Sequence, residues 1–356
     1  MKIGLVGYQG SGKSTLFEWL TCVASDPALS HTAQSAMATI PEPRLEQLAE
    51  IYHSKKLSPA ALEIVDTPGL SRTHEGNAAR LAMIREAECL VLVVAAFDGS
   101  RPFGAGHPCP SDGVAADTES FHEDLMLADM EILTGRLGRI EETLKKPIAR
   151  TEQEQLRHEQ QILQTVLSAM ESGSPMREAD MTEDQLKVTR AFRLLSEKPR
   201  ILVVNTADDE EDPGRYTALS TGSVPLMAIP AGLELELSKM SPEDRLEFEQ
   251  EMGLQSVDRD HVIRKLLEAA GQMLFFTCNQ REVRCWLLRR GGTALEAAGT
   301  VHSDMARGFI RAEVTTCADL IRLGSEREVK AQHLVRQEPK DYIVQDGDIL
   351  FIRFSV

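Results

Sequence analysis

The 356-residue sequence has no run approaching the roughly 18 apolar residues of a membrane-spanning helix, so no transmembrane segment is expected. Its opening, MKIGLVG, has the texture of a strand and not of a basic leader before an apolar segment, which predicts a cytoplasmic chain without a signal peptide. CxxC pairs are also missing. Cys22, Cys89, Cys109, Cys278, Cys285 and Cys317 are scattered and share no ligand-like rhythm with the histidines, which argues against a disulfide framework or a zinc site. Basic residues are few: 39 Lys and Arg face 55 Asp and Glu. The formal charge of −16 excludes broad electrostatic attraction to nucleic acid or to an anionic membrane. From Leu274 to Val356, however, 12 basic residues balance 11 acidic ones, so any RNA contact is expected in that part.

Short apolar runs at Lys2–Val6, Ala61–Val65, Cys89–Ala95, Arg200–Val204 and Val224–Ile229 read as buried parallel strands. Helical stretches alternate with them, the pattern of an open α/β sheet. Between about Asp124 and Lys198 the alternation gives way to polar, heptad-like sequence. Leu133, Leu137, Ile140 and Leu144 form one apolar seam, and after Pro147 come Leu156, Leu163, Val166 and Met170. Two antiparallel helices packed along that seam are expected to project from the sheet domain. The alternative is a pair of ordinary amphipathic surface helices. Ser241-Pro242-Glu243 has cap, first-turn proline and acid in place for a helix, and another should follow Asp258. After Leu274 the texture changes to strand-like runs at Glu282–Leu288, Gly308–Val314, Tyr342–Val344 and Ile349–Phe354, which read as a small separate β-rich domain.

The chemistry is concentrated in three places. Gly7-Tyr8-Gln9-Gly10-Ser11-Gly12-Lys13-Ser14 satisfies G-x-x-x-x-G-K-[ST] directly after a strand and before a helical segment, the context this phosphate-binding loop requires. Backbone amides of Gly10, Ser11, Gly12 and Thr15 would surround the phosphates, helped by the helix dipole. Lys13 would contact the β- and γ-phosphates, and Ser14 would ligate Mg²⁺. Asp66-Thr67-Pro68-Gly69 follows the strand ending at Val65, and D-x-x-G is the form that GTPases use. Asp66 would hold Mg²⁺, and the Gly69 amide would sense the γ-phosphate. Leu70 stands where many GTPases carry the glutamine that orients water, so that group must come from elsewhere.

Asn205-Thr206-Ala207-Asp208 occupies the place of the guanine-reading N-K-x-D motif, with threonine for lysine. An asparagine can hold N7 of either purine. Asp208 would accept from N1–H and the exocyclic amine of guanine and would find no matching N1 donor on adenine. ATP and GTP both stay open.

The chain resembles the YchF-type Obg-like ATPases along nearly its whole length. The resemblance is carried by PEPRLEQLAEI (Pro41–Ile51), the DxxGL turn, DLMLADMEIL (Asp124–Leu133), and two C-terminal stretches, Glu282–Val314 and Lys340–Val356, which are similar to a TGS domain. It implies an α/β fold: a P-loop NTPase open sheet of GTPase type, with an inserted helical coiled-coil arm and a C-terminal ubiquitin-like β-grasp (TGS) domain. The expected boundaries are 1–123 and 199–273 for the nucleotide-binding domain, 124–198 for the arm and 274–356 for the TGS domain. A role at the ribosome is implied as well, with contact through the TGS domain and the arm.

The family's loop GLPNVGKST reads GYQGSGKST here, the segment after Asp66 is shorter and less glycine-rich, and the N-x-x-E base motif appears as N-T-A-D. Thr32 is the candidate first-switch threonine. The resemblance also implies a catalytic histidine on the loop after the third core strand, and counting back from Leu125–Asp129 places His107 there. It either orients the attacking water or is a loop residue without a role, and His74 is the other candidate. The function expected is an Mg²⁺-dependent NTPase that couples ATP or GTP to ribosome or RNA-associated partners. A nucleotide-gated binding module with negligible hydrolysis is the alternative, and a small-molecule P-loop kinase a third.

Overall fold

The computed structural model of the chain describes all residues except 30, 98–109, 174–181, 211, 220–223, 255 and 356. Strands β1 (Lys2–Val6), β2 (Gln34–Thr39), β3 (Leu57–Ser58), β4 (Ala61–Asp66), β5 (Cys89–Ala96), β6 (Arg200–Thr206) and β7 (Leu226–Ile229) alternate with helices. All but β3 form one sheet in the order β2-β4-β1-β5-β6-β7. Strands β4, β1, β5, β6 and β7 are parallel, and the inner ones are apolar along both faces because helices cover both sides. The polar strand β2 escapes the apolar-run criterion. It is an antiparallel partner of β4 at the sheet edge, and its residues alternate between sheltered and exposed.

Helices α1 (Lys13–Thr21), α2 (Pro43–Tyr52) and α3 (Asn77–Ile84) follow β1, β2 and β4. The long helix α4 (Pro110–Leu144) and its neighbour α5 (Arg150–Glu171) make the arm. Leu133, Leu137, Ile140, Leu163, Val166 and Met170 close into one buried cluster, and Arg136 binds Glu159 across the pair at 2.7 Å, as the heptad-like seam predicts. The start of α4 has a different job. Val114, Phe121 and Leu125 pack against β1, β5 and β6 in the core of the sheet domain. Between the two stretches, buried Asp129 holds Arg85 at 2.6 Å and accepts from the amide and hydroxyl of Ser196 at 2.8 Å, which fixes the root of the arm.

After the short α6 (Glu183–Thr189) and the helix α7 (Ala231–Lys239), α8 (Pro242–Met252) starts at Ser241, whose hydroxyl accepts from Asp244 N at 3.2 Å. Helix α9 (Arg259–Ala269) starts at Asp258 in the same manner. Both starts are those expected from the cap residues.

The C-terminal strands are β8 (Gln272–Cys278), β9 (Val283–Arg289), β10 (Phe309–Thr316), β11 (Arg336–Glu338) and β12 (Asp348–Phe354). Together with β3 they form a second sheet, ordered β11-β10-β12-β8-β9-β3, which grips the helix Ala294–Val301 through Ala294 and Ala297. This is the β-grasp arrangement. Tyr342–Val344 is not a strand. Its backbone bonds go to the turn before that helix, with Ala294 N on Tyr342 O at 2.8 Å and Val344 N on Gly292 O at 3.0 Å, leaving one isolated bridge at Ile343. The β-rich tail is also less separate than its sequence texture indicates. Leu57 of β3 pairs with Val283, and one buried cluster runs from Ile3 and Leu48 to Phe276, Cys317 and Ile349.

Candidate nucleotide-binding site

Gly12 caps α1 at φ 90°, a left-handed conformation that favours glycine, and its carbonyl accepts the first helical bond from Leu16 N at 3.0 Å. A Cβ at Gly12 would collide with the Asn205 side-chain amide, so strand β6 and the loop after β1 meet at this point. Asn205 Nδ2 donates to Ser11 O at 3.1 Å, and its Oδ1 accepts from Ala231 N, at the start of α7, at 3.0 Å. Three separate segments are thereby tied around one cavity of about 790 Å³, within the usual range for a small-molecule site. Gly10, Gly12, Lys13, Ser14 and Thr15 line one side of it, and Asn205 and Asp208 the other.

Lys13 is 6 % exposed, and its ammonium donates to Tyr8 O at 2.8 Å. Burial lowers its pKa to about 8; Asp66 opposes that shift and Arg80 adds to it. The strain on this cation is what a polyphosphate would relieve. The Ser14 hydroxyl donates to Asp66 Oδ2 at 2.6 Å. Burial pushes the Asp66 carboxyl up, against the hydrogen bond from Ser14 and the charge of Lys13. Asp66 Oδ1 is buried without a hydrogen-bond partner. A hydroxyl and a carboxylate side by side, with one carboxylate oxygen uncommitted, form a hard-oxygen donor set that fits Mg²⁺. Gly69 lies so close that a Cβ there would sit 2.8 Å from Lys13 Nζ and from Gln9 Cα, so its amide can approach a terminal phosphate.

Not every residue singled out in the sequence gathers here. Thr32 is exposed, its hydroxyl donates to Leu29 O at 3.0 Å, and it does not line the cavity. Leu70 is 1 % exposed and packs with Tyr8, Ile84 and Phe121, so its side chain belongs to the core. His107 lies outside the described residues. Asp208 is exposed at the cavity rim, and its Oδ1 accepts from Leu233 N at 3.2 Å, which anchors it to the first turn of α7.

Sequence reasoning passed over two groups, apart from His74 in the second. Phe97, Arg215 and Gly232 also line the cavity. Arg215 pairs with Glu210, which in turn accepts from the Tyr216 hydroxyl at 3.0 Å. Phe97 follows β5, Arg215 sits in a short 3-10 helix and Gly232 in the first turn of α7, and no shared periodicity marks them. The second group lies behind the loop, where the Tyr8 hydroxyl donates to Asp124 Oδ2 at 3.0 Å and His74 Nδ1 stands 3.3 Å from Asp124 Oδ1. Arg72 makes a two-pronged pair with Asp117, at 2.7 and 2.8 Å, and its guanidinium lies 4.3 Å from the centre of the Tyr8 ring. A signal for this group existed: Asp117, Phe121 and Asp124 are spaced to share one helix face.

Comparison with known proteins accords with this geometry. Residues 2–106 match the family described as 50S ribosome-binding GTPase, and residues 273–355 match the C-terminal family of YchF GTPases, described as a protein of unknown function. The ribosome-binding ATPase YchF of Bacillus subtilis is 32 % identical over 99 % of both chains. Obg-like ATPase 1 of Oryza sativa subsp. japonica is 32 % identical over 100 % of this chain and 92 % of its own. The YchF GTPase of Schizosaccharomyces pombe, 24 % identical, superposes with a TM-score of 0.81 over 99 % of this chain and 97 % of its own, which attests the shared fold. With identity of this level sustained from end to end, the chain belongs to the YchF family.

Proposed function

We propose that this chain is an Mg²⁺-dependent nucleoside triphosphatase that binds ATP, GTP or both in the cavity between Lys13 and Asp208, and whose nucleotide state governs its association with the ribosome. The observation that carries this reading is the contact of Ser14 with Asp66 at 2.6 Å beside the buried Lys13. Lys13 would neutralise the β- and γ-phosphates, and the Gly69 amide would donate to the terminal one. Ser14 and Asp66 would hold Mg²⁺, which supplies further neutralisation of charge on the phosphate oxygens. Ribosome association is proposed from the names of the relatives, and the near-neutral residues 274–356 with the arm are the surfaces assigned to it.

The attacking water needs a group to orient it, and Leu70 is turned into the core. His107 is proposed for that role. The same observation on Leu70 favours the second reading, a nucleotide-gated binding module with negligible turnover. Single-turnover release of phosphate from Mg-ATP and Mg-GTP, with and without ribosomes, separates the two. Release in either condition supports the triphosphatase. Tight triphosphate binding without release in both leaves the gated module, and no binding of either nucleotide overturns both readings.

A further inference from the structure

The shortened segment after Gly69 is held by side chains from a helix that continues into the arm. Its backbone is joined to the phosphate-binding loop on one side, with Leu70 N on Gly7 O at 3.0 Å and Gln9 N on Leu70 O at 3.1 Å. On the other side the two-pronged Arg72–Asp117 pair and the His74–Asp124 contact fasten it to α4. Asp124 is 8 % exposed and also receives the Tyr8 hydroxyl, while Phe121 meets the Tyr8 ring edge-on with centroids 5.6 Å apart. One face of α4 therefore touches both the loop that holds Lys13 and the segment that presents Gly69. The same helix, without interruption, supplies Leu133, Leu137 and Ile140 to the arm.

We propose that α4 is a positioning element for the nucleotide reaction: through Asp117 and Asp124 it holds the segment 70–74, and with it Gly69, in place beside Lys13, so that triphosphate state and arm position are coupled. This rests on the triphosphatase reading for its kinetic expression but not for its binding expression. Arg72 and Asp117 act through Gly69 and are positioning residues. A pre-placed Gly69 amide meets the terminal phosphate without the ordering that a free segment would require, and a diphosphate does not use that contact. The coupling is reciprocal, so a triphosphate must in turn tighten the ties to α4.

The test is a double-mutant cycle on the full chain. Arg72→Ala and Asp117→Ala should each weaken triphosphate binding and lower kcat/KM roughly tenfold with diphosphate affinity within about twofold of wild type, and the double variant should lose no more than either single one. Arg72→Lys, which keeps the charge, should recover part of the loss. Alongside it, hydrogen exchange of the amides in 114–128 should slow when a non-hydrolysable triphosphate replaces the diphosphate, and Asp117→Ala should abolish that difference. Wild-type triphosphate affinity and kcat/KM in the folded single variants, losses that multiply in the double variant, or equal exchange in the two nucleotide states would overturn the inference. A wild-type protein that binds but does not turn over defeats the triphosphatase reading alone, and the exchange difference then decides the coupling.

Discussion

The side chain of Asn205 reaches across from the end of β6 to the carbonyl of Ser11 at 3.1 Å, so the two sides of the cavity are one braced unit. Its other end accepts from Ala231 N at 3.0 Å, which leaves one amide hydrogen for a purine N7. Asn205→Ala should therefore weaken ATP and GTP, and their diphosphates, to a similar degree. With two buried bonds lost, about 2–3 kcal/mol, or roughly 30- to 150-fold in affinity, is the expected scale. Titration calorimetry with the four nucleotides reads it directly, and a loss confined to one base would contradict the brace.

If Lys13 holds the phosphates as proposed, nucleotide binding should depend on pH. Its folded pKa of about 8 lies below the ordinary 10.5, so between those values the unfolded chain holds more protons and the ligand-free protein gains stability as pH rises. Binding has the opposite trend. Phosphates favour the charged ammonium and raise its pKa, so a proton is taken up on binding wherever free Lys13 is neutral. Triphosphate affinity should be flat below about pH 7 and fall about tenfold per unit above pH 8. Calorimetry at pH 9 in buffers of different ionisation heat should register proton uptake; none at that pH would mean Lys13 is already fully charged in the free protein.

Much of this was legible in the sequence, for physical reasons that differ from element to element. The parallel strands announced themselves because burial on both faces demands unbroken apolar runs, and the arm did so because Leu133, Leu137 and Ile140 repeat with a helical period. Strand β2 stayed hidden because an edge strand with a solvent face can be written QSAMAT. Strand β8 was missed because Gln272–Cys278 runs on directly from the end of helix α9 with no turn signal long enough to mark the change. The proposed phosphate loop could be read from spacing alone, since a backbone cradle is specified by where its glycines fall. The Arg72–Asp117 and His74–Asp124 contacts join residues 45 and 50 positions apart, and no local period encodes such pairs.

The same long-range character makes the C-terminal part hard to remove. Arg44 Nη1 pairs with Asp346 at 3.0 Å, Ser54 Oγ donates to Asn279 O at 2.6 Å, and fully buried Phe276 belongs to the cluster that contains Ile3 and Leu48. A chain cut before Leu274 would expose that cluster and leave β3 without its partner. Such a truncation should lose cooperative melting and bind nucleotide poorly. In the full chain, Phe276→Ala should cost about 3–5 kcal/mol, felt as a lower melting temperature of the whole molecule in scanning calorimetry. A truncated protein with wild-type nucleotide affinity would show that the shared core is dispensable.

On the proposed reading, the choice of base turns on Asp208. Its carboxylate stands at the rim of the cavity, with one oxygen already engaged by Leu233 N at 3.2 Å and the side chain exposed. A guanine presents N1–H and its exocyclic amine to such a group, whereas adenine offers no N1 donor. Thr206 is 3 % exposed, so it cannot supply the long stem with which a lysine would pack beside the base. An exposed carboxylate competes with water, and part of its capacity is used at α7. Discrimination should therefore be modest, about 1–2 kcal/mol or 5- to 30-fold, and both nucleotides should bind measurably. Asp208→Ala should reduce GTP affinity more than ATP affinity and bring the two closer together. Asp208→Glu keeps the charge but lengthens the arm by one methylene, and it should shift preference towards ATP by displacing the carboxylate from the N1 edge. Competition binding with both nucleotides on the three proteins checks this: equal losses in Asp208→Ala, or a larger loss for ATP, would refute guanine reading by Asp208.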